Sequence, residues 1–588
     1  MKTETRSGKS RIWLILFLII WCAQMLTAVY FCCQKQGFHE DEYYSYYSTA
    51  RTNGFWVEDQ RWMDREDYYN EYVVLEGQGF QYGLVKLVQS WDVHPPVYYW
   101  ILHTVCSLFP GRFSKWFGLS INLVAFGISM FLLRHLAMQI TKGNEKISWL
   151  VCLFYGFTPA VMSSVVFIRM YALLTVFVLL CAILHVKALE NYKQSKDKLS
   201  VKGFLLPLAV VTYLGFLTQY YYFIFLFFMA AGFCLYLLWN DRNLWNCIRY
   251  GVSLAIAFVL AYITYPSCLG QMFRGQRGAQ ATDNFFDLSN TVERLQFFWS
   301  ILDEYVFGKT LPVFLLVILL LFLTGLGKRS RDTAVSSSDA KQHEECVEVG
   351  NEQGSISGSK RGYAKALETY KMYWLLLFSV VGYFLVVSKT GLLLGNTSVR
   401  YQTPIYGMIV LLVFEAIRQL GKTCGILQKG EQVDFVDDRE EGNKTIKSNR
   451  NNWLLAAVAI LCVVINLSGL LSDRVVFLYP EDEQQVQFAR EQAANQTPVV
   501  YIYDEGQSWC VWDCTNELLE YDGVFFAGQS STELIQDSKV ANSEELVVYL
   551  SNSADAQTQL QRILNSNVNV AEYELQYSEK YCDVYYLY

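Results

Sequence analysis

Runs of about 16 to 23 apolar residues recur from Ile12 to Leu471, the length at which a helix crosses the hydrocarbon core of a bilayer. Eleven candidate spans follow: Ile12–Cys33, Phe113–Leu133, Ile147–Val166, Ile168–Val186, Gly203–Thr218, Tyr220–Trp239, Val252–Cys268, Leu311–Leu326, Tyr373–Val387, Tyr401–Ala416 and Trp453–Leu471. Of the 588 residues 53% are hydrophobic and 18% charged, so the charges must be segregated into blocks between the spans. The chain therefore reads as a polytopic α-helical membrane protein. The first span follows Lys2, Arg6, Lys9 and Arg11; its apolar run is too long for a secretory signal and no small-residue cleavage site follows, so it is expected as a retained helix.

Charge orients the spans. With a cytoplasmic N-terminus, the segments Arg134–Lys146, Lys187–Lys202, Asp241–Arg249, Lys328–Lys371 and Arg418–Arg450 fall inside, each with several Lys or Arg, as the positive-inside rule requires. The apolar stretch Val97–Pro110 is short for a crossing, and counting it would place the basic loops outside. It is expected as an interfacial or re-entrant helix on the outer face. This assignment puts Asp41, Asp92, His94, Arg112, Arg169, Gln219 and Arg400 at one membrane face.

The first outer loop, 34–112, is rich in Tyr, Trp and acids. It opens with His39-Glu40-Asp41-Glu42, three consecutive carboxylates where the chain leaves the bilayer, and closes with Trp91-Asp92-Val93-His94-Pro95-Pro96-Val97. Most of its tyrosines fit an interfacial aromatic belt. Asp41 and Glu42 suit proton transfer, a carboxylate taking a proton from an acceptor hydroxyl while its neighbour positions the acceptor or a metal. Two prolines fix φ and favour a helix start, holding His94 extended before it. A cation such as Arg169 inside a span costs about 2.5–3.5 kcal/mol on insertion scales, and such residues usually face a cavity and a partner.

Past Leu471 the composition changes, with five Lys and Arg against twenty Asp and Glu. Strands are expected at Pro498–Tyr503, Gly523–Phe526, Leu546–Leu550 and Val570–Tyr577, with helices at Asp482–Asn495 and Ala556–Asn565, a small extracytoplasmic α/β domain over 472–588 beside a membrane domain over 1–471. Its role, acceptor recognition, lid or structural cap, is left open by the sequence. Cys510 and Cys514 have a spacing that permits a local disulfide, and no cysteine spacing resembles a zinc site. Residues 329–360, within the cytoplasmic loop 328–371, are nearly free of apolar residues and are expected to be disordered, and Gln428–Asn452 reads the same way. Leu269–Lys309 reads as an outer loop with Gly270, Gly275 and Gly278 near Arg274 and Arg277.

The order of these motifs resembles the GT-C glycosyltransferases of the protein O-mannosyltransferase-like kind (family 39, ArnT-like). The features are Asp41-Glu42 early in the first outer loop, Asp92-x-His94-Pro95-Pro96-Val97 at its end, Arg112 before the second span, Arg169-Met-Tyr171 at a helix end, and Arg400-Tyr401-x-x-Pro404 late in the chain. The resemblance covers about residues 10–420. Thr218-Gln219-Tyr220 stands where relatives often carry Thr-His-Tyr; Gln219 keeps hydrogen-bonding capacity but cannot titrate, which weakens any proton-transfer role at that position. The resemblance implies a GT-C fold and an inverting hexosyl or pentosyl transferase that uses a polyprenyl-phosphate sugar in a plasma membrane. Asp41 and Glu42 would be catalytic, and Arg112, Arg169 and Arg400 would bind the donor phosphate. Asp92, His94, Tyr171, Gln219 and Tyr401 would contact substrate, and Glu42 and Asp92 could hold a divalent metal. The expected partners are the polyprenyl-linked donor, membrane lipids and a protein, lipid or glycan acceptor, with no nucleic acid. The rival reading is a transporter or flippase of polyprenyl-linked lipids; against it, no internal repeat is found and the polar residues collect at one face.

Overall fold

The computed structural model describes residues 2–50, 57–192, 198–241, 244–326, 370–424, 441–531 and 533–588. All eleven predicted stretches are mostly helical. Eight described helices are long and apolar enough to cross a membrane: Arg11–Gln34, Lys115–Ile140, Tyr171–Asn191, Tyr221–Trp239, Leu244–Thr264, Lys371–Thr390, Gly395–Thr423 and Trp453–Leu470. Glu145–Tyr155 and Pro159–Val166 form a pair bent by 60°, and Val201–Phe216 and Leu311–Leu326 are shorter apolar helices. The molecule is a multi-pass α-helical membrane protein carrying a small sheet.

The chain divides into two compact units, and the boundaries after Thr27, Val124 and Ser164 fall inside helices. The first comprises Met1–Thr27, Ala125–Ser164 and Tyr171–Val475. Its helices approach closely where small residues remove bulk. Gly382 lies against the Phe228 ring, Gly232 against Leu375, and Gly407 between Leu133 and Tyr155. Polar side chains bridge helices inside it: Gln24 Nε2 donates to the Cys152 carbonyl at 2.8 Å, Asn466 Nδ2 to the Phe154 carbonyl at 2.8 Å, and Arg134 pairs with Glu145 at 2.6 Å. Such bonding is required where no water is available.

Three sequence expectations differ here. The stretch 269–309 is mostly helical, with helices Ser267–Phe273, Gln276–Phe286 and Thr291–Tyr305. The segment expected as unstructured up to Asn452 is helical from Glu441, continuing into the last span. Arg169 lies in a four-residue connection, 167–170, between helices instead of inside one. The stretch 329–360, expected to be disordered, lies outside the described residues, as does 428–440.

The second unit is assembled from Ala28–Val124, Val165–Met170 and Val476–Tyr588. Its sheet has the order β1-β3-β2-β4-β6-β5, where β1 is Arg61–Asp64, β2 Val499–Tyr503, β3 Gly523–Gly528, β4 Leu546–Ser551, β5 Tyr573–Ser578 and β6 Cys582–Leu587. β3, β2 and β4 run parallel, while β1 joins β3 antiparallel, with Trp62 opposite Phe525. The central strands β2 and β4 are buried on both faces, which is why they read as continuous apolar runs. β1 comes from the first loop, so the C-terminal sheet is completed by a distant segment. The core gathers Val500, Ile502, Phe525, Val548, Leu550, Leu560 and Ile563. Arg562 fixes the helix Ala556–Ser566 by donating to the Gly528 carbonyl at 3.0 Å.

Candidate active site

The helix Glu40–Ala50 begins with three acids, which the positive end of its dipole favours. Its start is a reciprocal cap: the Asp41 amide donates to His39 Nδ1 at 3.1 Å, and the His39 amide donates to Glu42 Oε2 at 2.7 Å. Glu42 is fully buried. Lys35 Nζ donates to the same Oε2 at 2.9 Å, and the Ile168 amide donates to Oε1 at 2.7 Å. Lys35, equally buried, also donates to the Phe477 carbonyl at 2.7 Å. Burial raises the Glu42 pKa and lowers that of Lys35, while their contact opposes both shifts. Both Glu42 oxygens are thus occupied by bonds that fix the helix.

Asp41, one residue earlier, is turned differently. Its carboxylate is 28% exposed, with Oδ1 3.6 Å from Arg169 Nη2 and Oδ2 3.7 Å from His39 Nδ1. Arg169 itself is 3% exposed and organises the group. Its Nη1 donates to the Asp41 carbonyl at 2.9 Å, to Tyr99 Oη at 3.0 Å and to Ser45 Oγ at 3.2 Å, and its Nη2 lies 3.2 Å from His94 Nδ1. His94 Nδ1 is also 3.3 Å from Asp92 Oδ2, and one ring nitrogen can accept from Arg169 or donate to Asp92 but not do both at once. Burial, with the Arg169 charge, holds the His94 pKa below its ordinary value. Burial would raise Asp92, but the hydrogen bond to His94 and the charges of His94 and Arg169 outweigh it and hold the carboxyl below its usual range. The site at neutral pH therefore contains a neutral imidazole between a carboxylate and a guanidinium.

Helix Val97–Ser107, eleven residues long, supplies Tyr99 and is tied to the first by His103, whose Nδ1 donates to the Thr49 carbonyl at 2.8 Å and whose Nε2 accepts from the Gln81 amide at 2.9 Å. At about 1.5 Å per residue it reaches only about half the thickness of a hydrocarbon core. Asn122 Nδ2 donates to the carbonyl of Val165 at 3.1 Å and also to that of Phe167, holding the connection that presents Arg169. The C-terminal segment packs on the same helix. Lys580 Nζ pairs with Glu40 at 2.8 Å, Tyr43 donates to Asn516 at 2.6 Å, and Trp512 sits edge-on to Tyr44 with centroids 4.5 Å apart.

Of the residues the sequence singles out, the structure brings Asp41, Asp92, His94 and Arg169 together, with Glu42 directly behind them. Arg112 is exposed at the turn after the 97–107 helix. Arg400, Tyr401 and Tyr171 form a separate cluster in the first unit. Arg400 is 4% exposed and donates to Tyr401 Oη at 3.3 Å, and the Tyr401 ring meets Tyr171 edge-on at 6.1 Å and Tyr221 at 6.0 Å. Gln219 turns its amide oxygen back to accept from the Tyr220 amide at 2.6 Å. Sequence reasoning passed over Lys35, Ser45 and Tyr99 as site residues. Tyr99 lies two residues beyond the His94-Pro95-Pro96-Val97 motif, in the helix those prolines start, and the spacing of His39 and Glu42 is a capping signal.

The expectation that Glu42 and Asp92 could hold a metal does not fit this arrangement. Three donors already occupy Glu42, and no group of three or more His, Cys, Asp or Glu among the described residues is placed to hold an ion.

Two solved structures of ArnT from Cupriavidus metallidurans are similar to this chain. The one bound to undecaprenyl phosphate matches 99% of this chain and 98% of that chain at 11% identity and a TM-score of 0.46; the apo state matches the same shares at 13% identity and 0.47. The archaeal oligosaccharyltransferase AglB from Archaeoglobus fulgidus, in complex with an inhibitory peptide and a dolichol-phosphate, matches 91% of this chain and 69% of that chain at 11% identity and 0.41. No protein-family model matches the sequence, and no curated protein matches it.

Proposed function

We propose that the protein is an inverting glycosyltransferase of the GT-C kind that moves a sugar from a polyprenyl-phosphate donor to an acceptor at the outer membrane face. The observation that carries this reading is the Arg169 cluster: a buried guanidinium bonded to the backbone of Asp41, to Tyr99 and to the His94–Asp92 pair, beside an Asp41 carboxylate that a substrate can reach. Asp41 accepts the proton of the acceptor hydroxyl as its oxygen attacks C1 from the face opposite the phosphate. The bond from C1 to the phosphate oxygen breaks in the same step, and the polyprenyl phosphate leaves with both electrons. Positive charge from Arg169 stabilises that leaving group, the electrostatic contribution that is often largest in transfer reactions. Arg400 with Tyr401 and Tyr171, in the first unit, is assigned to donor binding. Glu42 acts by holding the helix that presents Asp41.

The test is release of polyprenyl phosphate from labelled hexosyl and pentosyl donors by the full chain in lipid nanodiscs. The expected result is turnover that Asp41→Asn lowers by about 10²–10⁴-fold with an unchanged melting temperature. Movement of the intact donor across the bilayer with no cleavage by the wild type would replace this reading with the flippase.

A further inference from the structure

Two thiols far apart in sequence meet in the sheet-bearing unit. Cys514 Sγ and Cys582 Sγ are 3.2 Å apart and both side chains are fully buried. Cys514 ends the 3-10 segment Ser508–Cys514, and Cys582 opens β6, paired with Ser551 of β4. The spacing that permits a Cys510–Cys514 bridge competes with a partner for Cys514 on β6.

The two segments are also the two arms that grip the 40–50 helix. Trp512 and Asn516, beside Cys514, contact Tyr44 and Tyr43; Lys580, two residues before Cys582, pairs with Glu40 at 2.8 Å, and Tyr581 donates to the same carboxylate at 3.4 Å. A covalent link between residues 514 and 582 would join those arms behind the helix that carries Asp41.

We infer that Cys514 and Cys582 are joined by a disulfide in the mature protein, made by exchange with an external disulfide donor while the C-terminal segment folds. The chemistry balances as two exchanges. One thiolate attacks a sulfur of the donor disulfide, forming a mixed disulfide and releasing one donor thiol. The second thiolate then attacks the protein sulfur of that mixed disulfide, closing the protein bond and releasing the other donor thiol. The protein loses two thiol protons and two electrons, and the donor disulfide becomes two thiols. Once the unit is closed both cysteines are poor nucleophiles. Cys514 is held high by its hydrogen bond to Cys582 and by burial; for Cys582 the bond from Cys514 lowers the pKa, but burial and Glu579 outweigh it. Formation therefore belongs to folding. The inference rests on the outward placement of this unit in the proposed function, since disulfides persist in oxidising compartments.

The experiment is thiol mapping on the wild-type full chain, purified without reductant, unfolded and alkylated before reduction. Cleavage on the N-terminal side of Asp513 separates Cys510 from Cys514. The expected result is a fragment containing Cys514 linked to one containing Cys582, parted only by reductant. Cys514→Ser, Cys582→Ser and the double variant should share one lowered melting temperature that reductant does not move further. Alkylation of both cysteines before reduction, or a link from Cys514 to Cys510, would overturn the proposal. Because mapping needs no substrate, free thiols in a protein that turns over donor reject the disulfide alone.

Discussion

Asp41 and Glu42 are adjacent carboxylates with opposite surroundings, and the start of a helix makes the difference. At the third helical position Glu42 reaches back to the His39 amide and onto Lys35, while Asp41 at the second turns outward to the Arg169 side. Glu42→Gln should therefore be a stability variant: breaking one side of a buried pair costs about 3–5 kcal/mol, measured by thermal unfolding, where Asp41→Asn leaves unfolding unchanged. Arg169→Lys keeps the charge but loses the planar fork that serves Asp41, Ser45, Tyr99 and His94 together. Turnover should drop by about 10²-fold with folding retained, read from kcat in the donor assay. The sign of the pH response follows from His94 and Asp92, both held below their ordinary values. The stability of neutral His94 is fully present above about pH 6.5 and is lost as the pH falls through its lowered value, when a second positive charge would appear beside Arg169. The pH–rate profile should fall on its acid side, and His94→Gln should move that limb to lower pH. Residue types and order point to the four groups gathered here. The division of labour between Asp41 and Glu42 was hidden because Lys35 and the Ile168 amide, its two other partners, are set by tertiary structure.

The helix 40–50 and the C-terminal strands were unevenly legible for a physical reason. β2 and β4 announce themselves by unbroken apolar runs. β1 is only Arg-Trp-Met-Asp and β6 reads Cys-Asp-Val-Tyr-Tyr-Leu, so neither carries a pattern until its sheet neighbours are known. The contact between the segments depends on Gly37, where a Cβ would overlap the Asp482 carboxylate; Gly37→Ala should lower the melting temperature of the full chain, scored by intrinsic fluorescence. The same segment concentrates acid. Burial lifts Asp482 and Asp513 to about 7 and Glu579 to about 8, with further lifting among the acids themselves. These groups hold protons in the folded protein that the unfolded chain releases near pH 4, so their stabilising contribution is complete at low pH and lost as the pH climbs through 7 to 8. Melting temperature should decline between about pH 4 and 8, and Glu579→Gln should flatten that decline, gaining about 1 kcal/mol at pH 8.

Across the molecule, the sequence shows where the apolar helices lie because bilayer thickness sets their length. It does not show that a first loop, a short interhelical connection and a C-terminal tail condense into one unit, since such long-range pairing leaves no local pattern. A chain ending at Val475 would lose the Phe477 carbonyl under Lys35, Lys580 opposite Glu40 and Asn516 opposite Tyr43. It should still insert into membranes, with its first loop cut readily by added protease and with no donor turnover; protease-resistant, active truncated protein would contradict the account.

The borrowed strand also sets a timetable. β1 leaves the ribosome roughly 460 residues before β3, and at about 5–20 residues per second that is an interval on the order of half a minute to a minute and a half. Throughout that wait the nascent first loop carries an unpaired strand edge and an acidic helix with no cover, so a half-made chain holds its future machinery unassembled. Pulse-labelled ribosome-bound intermediates should acquire a protected first loop only after Gly528 has emerged, which makes the arrival of the C-terminal strands the step that switches the protein on.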